Sequence, residues 1–69
     1  MKDIRDCCGR IACKFDVNSG FVEVVYKRIK TSTQIAIGGA FRIEREGVIT
    51  LITRNSDATF FVESHLSPD

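Results

Sequence analysis

The chain lacks several features on which a functional assignment usually depends. It has no tryptophan, one proline, one histidine and three cysteines among 69 residues. No apolar run approaches the length of a membrane span, and a formal net charge of +1 provides no overall field toward nucleic acid or an anionic membrane. The N-terminal segment is polar and contains no apolar stretch. We therefore expect no signal peptide, no membrane association and a cytoplasmic location.

The residue types that carry most catalysis are also scarce. General acid–base chemistry usually needs an oriented histidine, and the only one, His65, lies between serines near the C-terminus. The carboxylates are scattered singly along the chain. Gly38-Gly39 lacks the following Lys-Ser/Thr and the helix that a phosphate-binding loop requires. We therefore expect a protein that is not an enzyme and has no cofactor.

The three cysteines, Cys7, Cys8 and Cys13, are an odd number, which argues against a closed disulfide framework. Zinc usually takes four ligands from closely spaced Cys-x-x-Cys or His pairs, and this spacing is absent. A fourth ligand would have to be His65. Cys13 falls on the apolar face of a predicted strand, where a free cysteine behaves as a small hydrophobe. We expect no metal, and a thiol or zinc site at these residues is an alternative.

Short apolar runs that mostly alternate with polar residues fill the chain from Ile11 to Val62, and most end at a Gly, Asn or Asp turn. This period is that of β-strands. Asn18-Ser19-Gly20 predicts a hairpin turn, and Thr31-Ser32-Thr33 suggests a polar break. The predicted strands cover 11–17, 21–29, 34–37, 40–44, 48–53 and 59–63.

These elements predict one small all-β domain over 11–66, followed by a tail at 67–69. The expected architecture is a strongly bent five-stranded antiparallel barrel, or a barrel-like sheet, of SH3-, Sm- or OB-like size. An open curved sheet that dimerises is the alternative. Residues 1–10 are predicted to form a short helical turn, because Ile4, Cys7 and Cys8 share one face at i, i+3, i+4 spacing. Asp3 would cap this turn and Gly9 would end it.

Three predicted strands carry apolar residues on both faces. We expect so short a chain to cover only one face of its sheet. The excess apolar surface suggests a subunit or partner interface. The leading hypothesis is a non-catalytic, homo-oligomeric interaction module that binds a macromolecule through an apolar strand face or edge. The residues expected to share this face are Val22, Val24, Tyr26, Ile49, Leu51 and Phe60.

Basic residues give an alternative function, the binding of single-stranded RNA or DNA. Cations beside aromatic side chains on a small barrel are typical of such proteins. Tyr26 and Phe41 could stack on bases. Glu44 and Glu46 interrupt the cations that follow Phe41 in the sequence. The candidate residues are Lys27, Arg28, Lys30, Arg42 and Arg45.

Overall fold

In a computed structural model of the chain, described over residues 1–68, seven strands form two antiparallel sheets. The first sheet has the order β1-β2-β3-β4 and the second the order β5-β6-β7. The strands are β1 (Lys2–Arg5), β2 (Ile11–Asp16), β3 (Phe21–Tyr26), β4 (Ile29–Gln34), β5 (Ala40–Arg45), β6 (Val48–Arg54) and β7 (Phe60–Leu66). The all-β character is confirmed, but the predicted five-stranded barrel is wrong because neither sheet closes on itself. Residues 1–68 contain no helix that could span a membrane.

The predicted N-terminal helical turn is also wrong, because this segment forms an edge strand and a tight turn. Strand β1 pairs with β2, and Ile4 is buried in the core opposite Cys13. The Asp6 carboxylate accepts the backbone N–H groups of Cys8 at 2.9 Å and Arg10 at 3.0 Å, which holds the turn closed. Cys7 and Cys8 are both exposed. Their helical spacing with Ile4 therefore does not mark a buried face.

A two-residue turn, Lys27-Arg28, divides what the sequence predicts as one strand over 21–29. Both residues have positive φ, 49° and 68°. Two such residues are typical of a type I′ hairpin turn, which usually contains Asn and Gly, so Lys-Arg gives no signal for it. The predicted break at 31–33 instead lies in the middle of β4.

The two sheets pack face to face around one hydrophobic core. Phe15 of the first sheet and Phe60 of the second meet edge to face, with ring centroids 5.0 Å apart. The two-residue turns at 27–28 and 46–47 leave enough of the chain for a second layer, contrary to the prediction that so short a chain covers only one face. The buried cluster consists of Ile4, Cys13, Phe15, Val22, Ile35 and Ile52, with Val17, Val24, Phe41, Ile43, Phe60 and Val62 packed against it.

The C-terminal strand is longer than predicted. His65 and Leu66 belong to β7 rather than to a tail, and they pair with Ile49 and Val48 of β6. The backbone N–H of Ser67 donates to the Gly47 carbonyl at 2.7 Å, which anchors the start of the predicted tail. The end of that tail, residue 69, lies outside the described residues.

A buried arginine joins the two sheets at the end opposite the β1–β2 turn. Arg54, the last residue of β6, is only 7% exposed. Its guanidinium donates to three backbone carbonyls, those of Val17 at 3.0 Å, Asn18 at 2.7 Å and Ile35 at 2.8 Å. A charged hydrogen bond contributes about 1.5–3 kcal/mol, so this side chain is a major source of stability for a domain of this size.

Arg54 also fixes the connection between the sheets through its backbone. Its N–H donates to the Gly39 carbonyl at 3.0 Å, and its carbonyl accepts from Gly38 at 2.7 Å. Gly20 makes room on the other side, because a Cβ there would lie 2.6 Å from Arg54 Nη1 and 2.1 Å from the Ile35 carbonyl oxygen. The crossover from β4 to β5 is thus held between two sets of hydrogen bonds.

We expect Arg54→Met to lower the free energy of unfolding by about 3 kcal/mol or more, because it leaves three carbonyls without their charged donor. Urea denaturation followed by circular dichroism measures this change. Arg42→Met is the matched control, because Arg42 is exposed and forms a surface ion pair with Glu44 at 3.2 Å. A loss of less than about 0.5 kcal/mol is expected there, and equal losses in the two variants would contradict the role of Arg54.

Candidate functional site

Strand β4 is an edge strand of the first sheet, and the second sheet does not cover it. All six of its residues are exposed, and Ile29 is the most exposed large apolar residue in the described chain, at 69%. On the inner side it presents Ile29, Thr31 and Thr33, which pair with core-facing residues of β3. The second sheet has only three strands, so the fourth strand of the first sheet has no counterpart above it.

Contacts between the sheets show which strands are covered. The Arg45 guanidinium of β5 lies 4.9 Å from the centre of the Tyr26 ring of β3. At the other edge, the Cys7 N–H donates to Ser64 Oγ of β7 at 2.9 Å, and Lys2 lies 6.0 Å from the Phe60 ring centre. The second sheet therefore spans β1 to β3, and β4 extends beyond it.

The backbone of β4 has hydrogen-bonding groups that face solvent. In an antiparallel pair, alternate residues bond to the neighbouring strand and the others point away from it. The Tyr26–Ile29 pair closes the two-residue turn, and Ile35 N–H donates to the Gly20 carbonyl at 2.7 Å, which fixes this alternation. The outward groups are therefore the N–H and C=O of Lys30, Ser32 and Gln34.

Edge strands are usually protected against pairing with another chain by charge, proline, bulges or short length. Strand β1 is four residues long and has a bulge at Ile4/Arg5. Strand β5 carries Arg42 and Glu44 on its outer face, and β7 carries Glu63. Strand β4 has six residues, no proline and no bulge, and its single charge, Lys30, pairs with Glu23 at 3.3 Å.

The six residues predicted to form one partner-binding face lie on different surfaces. Val22 is fully buried, and Val24 and Phe60 pack against the same core. Ile49 and Leu51 lie on the outer face of the second sheet, beside Glu44 and Arg42 of β5 respectively. Tyr26 is half-buried at the end of the sandwich. The structure thus places three of these side chains at the core, two on the outer face of the second sheet and Tyr26 at the end of the sandwich.

The predicted basic residues are separated in the same way. Lys27 and Arg45 both lie against the Tyr26 ring, with Lys27 Nζ 5.3 Å from its centre, and Arg28 follows in the same turn. Lys30 lies on the outer face of the first sheet and Arg42 on that of the second, where each pairs with a glutamate. Phe41 packs against the core and is not available for base stacking.

Glu46 partly neutralises the group around Tyr26. It accepts a hydrogen bond from the Tyr26 hydroxyl at 3.1 Å and pairs with Arg10 at 2.5 Å. Arg45 also donates to the Ile11 carbonyl at 2.9 Å. The cations that keep their charge free for a ligand are chiefly those of the Lys27-Arg28 turn.

The structure also separates the candidate thiol and zinc ligands. Cys13 is 2% exposed in the core, whereas Cys7 and Cys8 are exposed in the β1–β2 turn. His65 is exposed on β7, on the face opposite Ser64, the residue that Cys7 contacts. No three His, Cys, Asp or Glu side chains within residues 1–68 are grouped closely enough to hold a metal ion.

Sequence reasoning missed the edge strand itself. The signal was present in Thr31 and Thr33, whose β-branched side chains favour strands. It was outweighed by the polarity of the segment, which is typical of turns. Comparisons with protein-family models, curated proteins and solved structures found no match for this chain.

Burial raises the pKa of the Cys13 thiol from its ordinary 9.0 to about 11. As the pH rises, the unfolded chain therefore loses this proton before the folded protein does. We expect the free energy of unfolding to fall from about pH 9 to about pH 11, by up to about 1.4 kcal/mol per pH unit. Urea denaturation across this range should show the decline in the wild type and a shallower one in Cys13→Ala. Identical slopes in the two proteins would contradict the raised pKa of the Cys13 thiol.

Proposed function

We propose that this chain is a non-catalytic interaction module that associates with a second copy of itself through its β4 edge. The observation that carries the proposal is an edge strand with free backbone groups, no proline, no bulge, a single lysine that is ion-paired with Glu23, and a sequence that can pair with itself. Addition of a strand to an exposed sheet edge is a common mode of protein recognition, in which main-chain hydrogen bonds supply affinity. A two-fold axis would use the same edge on both copies.

The outward groups define one register that uses all of them. An axis through Ser32 places Lys30 opposite Gln34 of the second copy, Ser32 opposite Ser32, and Gln34 opposite Lys30. Each such pair exchanges two N–H···O bonds, about six in all. Thr31 then faces Thr33 of the second copy, a favourable cross-strand pair.

Backbone pairing and charge together favour this register over the alternatives. Moving the axis by one residue, to Thr31 or Thr33, leaves the outward groups of one β4 residue in each copy unpaired. Moving the axis by two residues, to Lys30, would place the two lysines directly opposite each other, which is destabilising. In the register centred on Ser32, the lysine faces a neutral amide and keeps its ion pair with Glu23. The two four-stranded sheets would then form one continuous sheet of eight strands, flanked by the two three-stranded sheets.

The test is the solution mass of Ser32→Lys, measured by light scattering with size exclusion over a range of concentrations. Ser32 is exposed and opposite Glu23, so a lysine there is tolerated in the monomer. In the dimer the two new lysines face each other. We expect the dimer dissociation constant to rise by about tenfold or more, about 1.4 kcal/mol.

Two further variants make the result specific to this edge. Ala58→Lys adds the same charge in an exposed loop away from β4 and should dimerise like the wild type. Mixing Ser32→Lys with Ser32→Glu should restore a dimer that contains one of each chain. A wild type that stays monomeric at all concentrations, or a Ser32→Lys dimer as tight as the wild type, would overturn the proposal.

The cations around Tyr26 support a second candidate, the binding of single-stranded nucleic acid. Lys27 and Arg45 lie over the Tyr26 ring and Arg28 follows Lys27 in the same turn, a combination of cations and an aromatic ring that suits a phosphate backbone. The partial neutralisation by Glu46 makes this the weaker of the two candidates. It uses the end of the sandwich rather than the β4 edge, so the two candidates can be tested independently.

The double variant Lys27→Asn/Arg28→Gly tests this candidate without damaging the fold, because Asn-Gly is the preferred type I′ pair. If the cluster binds phosphates, the slope of log affinity for poly(U) against log salt should fall in magnitude by about 1.4, or 0.7 for each lost contact. Arg42→Gln, on the outer face of the other sheet, should change the slope little. Binding that is independent of salt, or equal in the double variant, would exclude the candidate.

A further inference from the structure

Cys7 and Cys8 form the exposed tip of the β1–β2 turn, and neither proposed function uses them. Their backbone is fixed from two sides. Cys8 N–H donates to the Asp6 carboxylate at 2.9 Å, and Cys7 N–H donates to Ser64 Oγ at 2.9 Å. The peptide groups are therefore held in place by hydrogen bonds, while both thiols are exposed to solvent.

Cys7 and Cys8 are consecutive in the chain, so their side chains start from α-carbons about 3.8 Å apart. Desolvation, followed by hydrogen bonding with Cys7 and its charge, raises the pKa of the Cys8 thiol, and nearby Asp6 acts in the same direction. Arg10, which would favour the thiolate, is already paired with the Asp6 carboxylate at 3.3 Å. A thiol that keeps its proton is a poor nucleophile, but it can react with a ligand whose own oxygen leaves as water together with that proton.

The spacing argues against a direct disulfide between these residues. Adjacent α-carbons are about 3.8 Å apart across a trans peptide, whereas disulfides usually need about 4.4–6.8 Å. A single atom inserted between the sulfurs enlarges the ring and relieves this strain. Zinc is a poor candidate for that atom, because it takes four ligands and no third metal-binding side chain is grouped with these two within residues 1–68.

We propose that Cys7 and Cys8 form a two-thiol binding site for trivalent arsenic compounds. Trivalent arsenic is thiophilic and pyramidal, and it needs only two protein thiols with a third ligand of its own. In the reaction with arsenous acid, two As–S bonds form while two As–O bonds and two S–H bonds break. Two water molecules leave. The arsenic stays trivalent and the sulfurs keep their oxidation state, so the step needs no oxidant or reductant.

The probe is phenylarsine oxide, and the readout is the mass and dissociation constant of its complex with the folded, reduced chain. We expect one arsenical per chain, added with the loss of one water, and release by excess dithiol. Because the second As–S bond is intramolecular, Cys7→Ser and Cys8→Ser should each raise the dissociation constant by about a hundredfold or more. Both positions are exposed, so serine is tolerated there.

Cys13→Ala is the matched control, because Cys13 is buried and should contribute nothing to binding. It should bind the arsenical as tightly as the wild type. Two arsenicals per chain would mean that the thiols react separately and would overturn the proposal. Equal affinity in the wild type and a single serine variant, or no binding to the wild type, would do the same.

Discussion

The hydrogen bonds of the Arg54 guanidinium are the constraint on which the rest of the fold depends. One side chain at the end of β6 binds the carbonyls of Val17, Asn18 and Ile35, and so ties the second sheet to the β2–β3 turn and to the connection that leaves β4. None of the ion pairs within residues 1–68 involves Arg54. Its charge is therefore compensated by backbone dipoles, whose positions depend on the correct loop conformations. A buried cation satisfied in this way makes the loop geometry and the packing of the sheets mutually dependent.

The shape of the protein and its candidate function follow from the connection that Arg54 holds. Because the chain leaves β4 at Ile35 and enters the second sheet over β3, the second layer ends one strand short. Within residues 1–68 the uncovered strand has no bulge and no proline, and its lysine, Lys30, is ion-paired with Glu23 of β3. Its free backbone groups must be satisfied by water or by another strand. The proposed self-association would satisfy these groups, which stay free because a three-stranded sheet covers a four-stranded one.

Alternation of apolar residues was sufficient to predict β2, the turn at 18–20 and β6, because each has a regular pattern and a recognisable end. It failed at β1, which is short and polar and has Ile4 as its one buried residue. It also failed at Lys27-Arg28, where the backbone adopts positive φ without the usual residues. Because that turn was missed, β4 was not predicted as a strand. The division of the chain into two sheets was not predicted either. The candidate site residues were misplaced for the same reason, since Val22 and Leu51 appear equivalent until the two sheets are known. The cysteines were identified as a feature, but their separation depends on tertiary structure.

Hydrogen exchange of the β4 amides, measured residue by residue as the protein concentration rises, tests the central claim most directly. The N–H groups of Thr31 and Thr33 bond to β3 and should be protected at every concentration. The N–H groups of Lys30, Ser32 and Gln34 point away from β3, and the account predicts that they become protected only as the dimer forms. Outward amides that exchange at the rate of exposed groups at all concentrations would contradict pairing through β4.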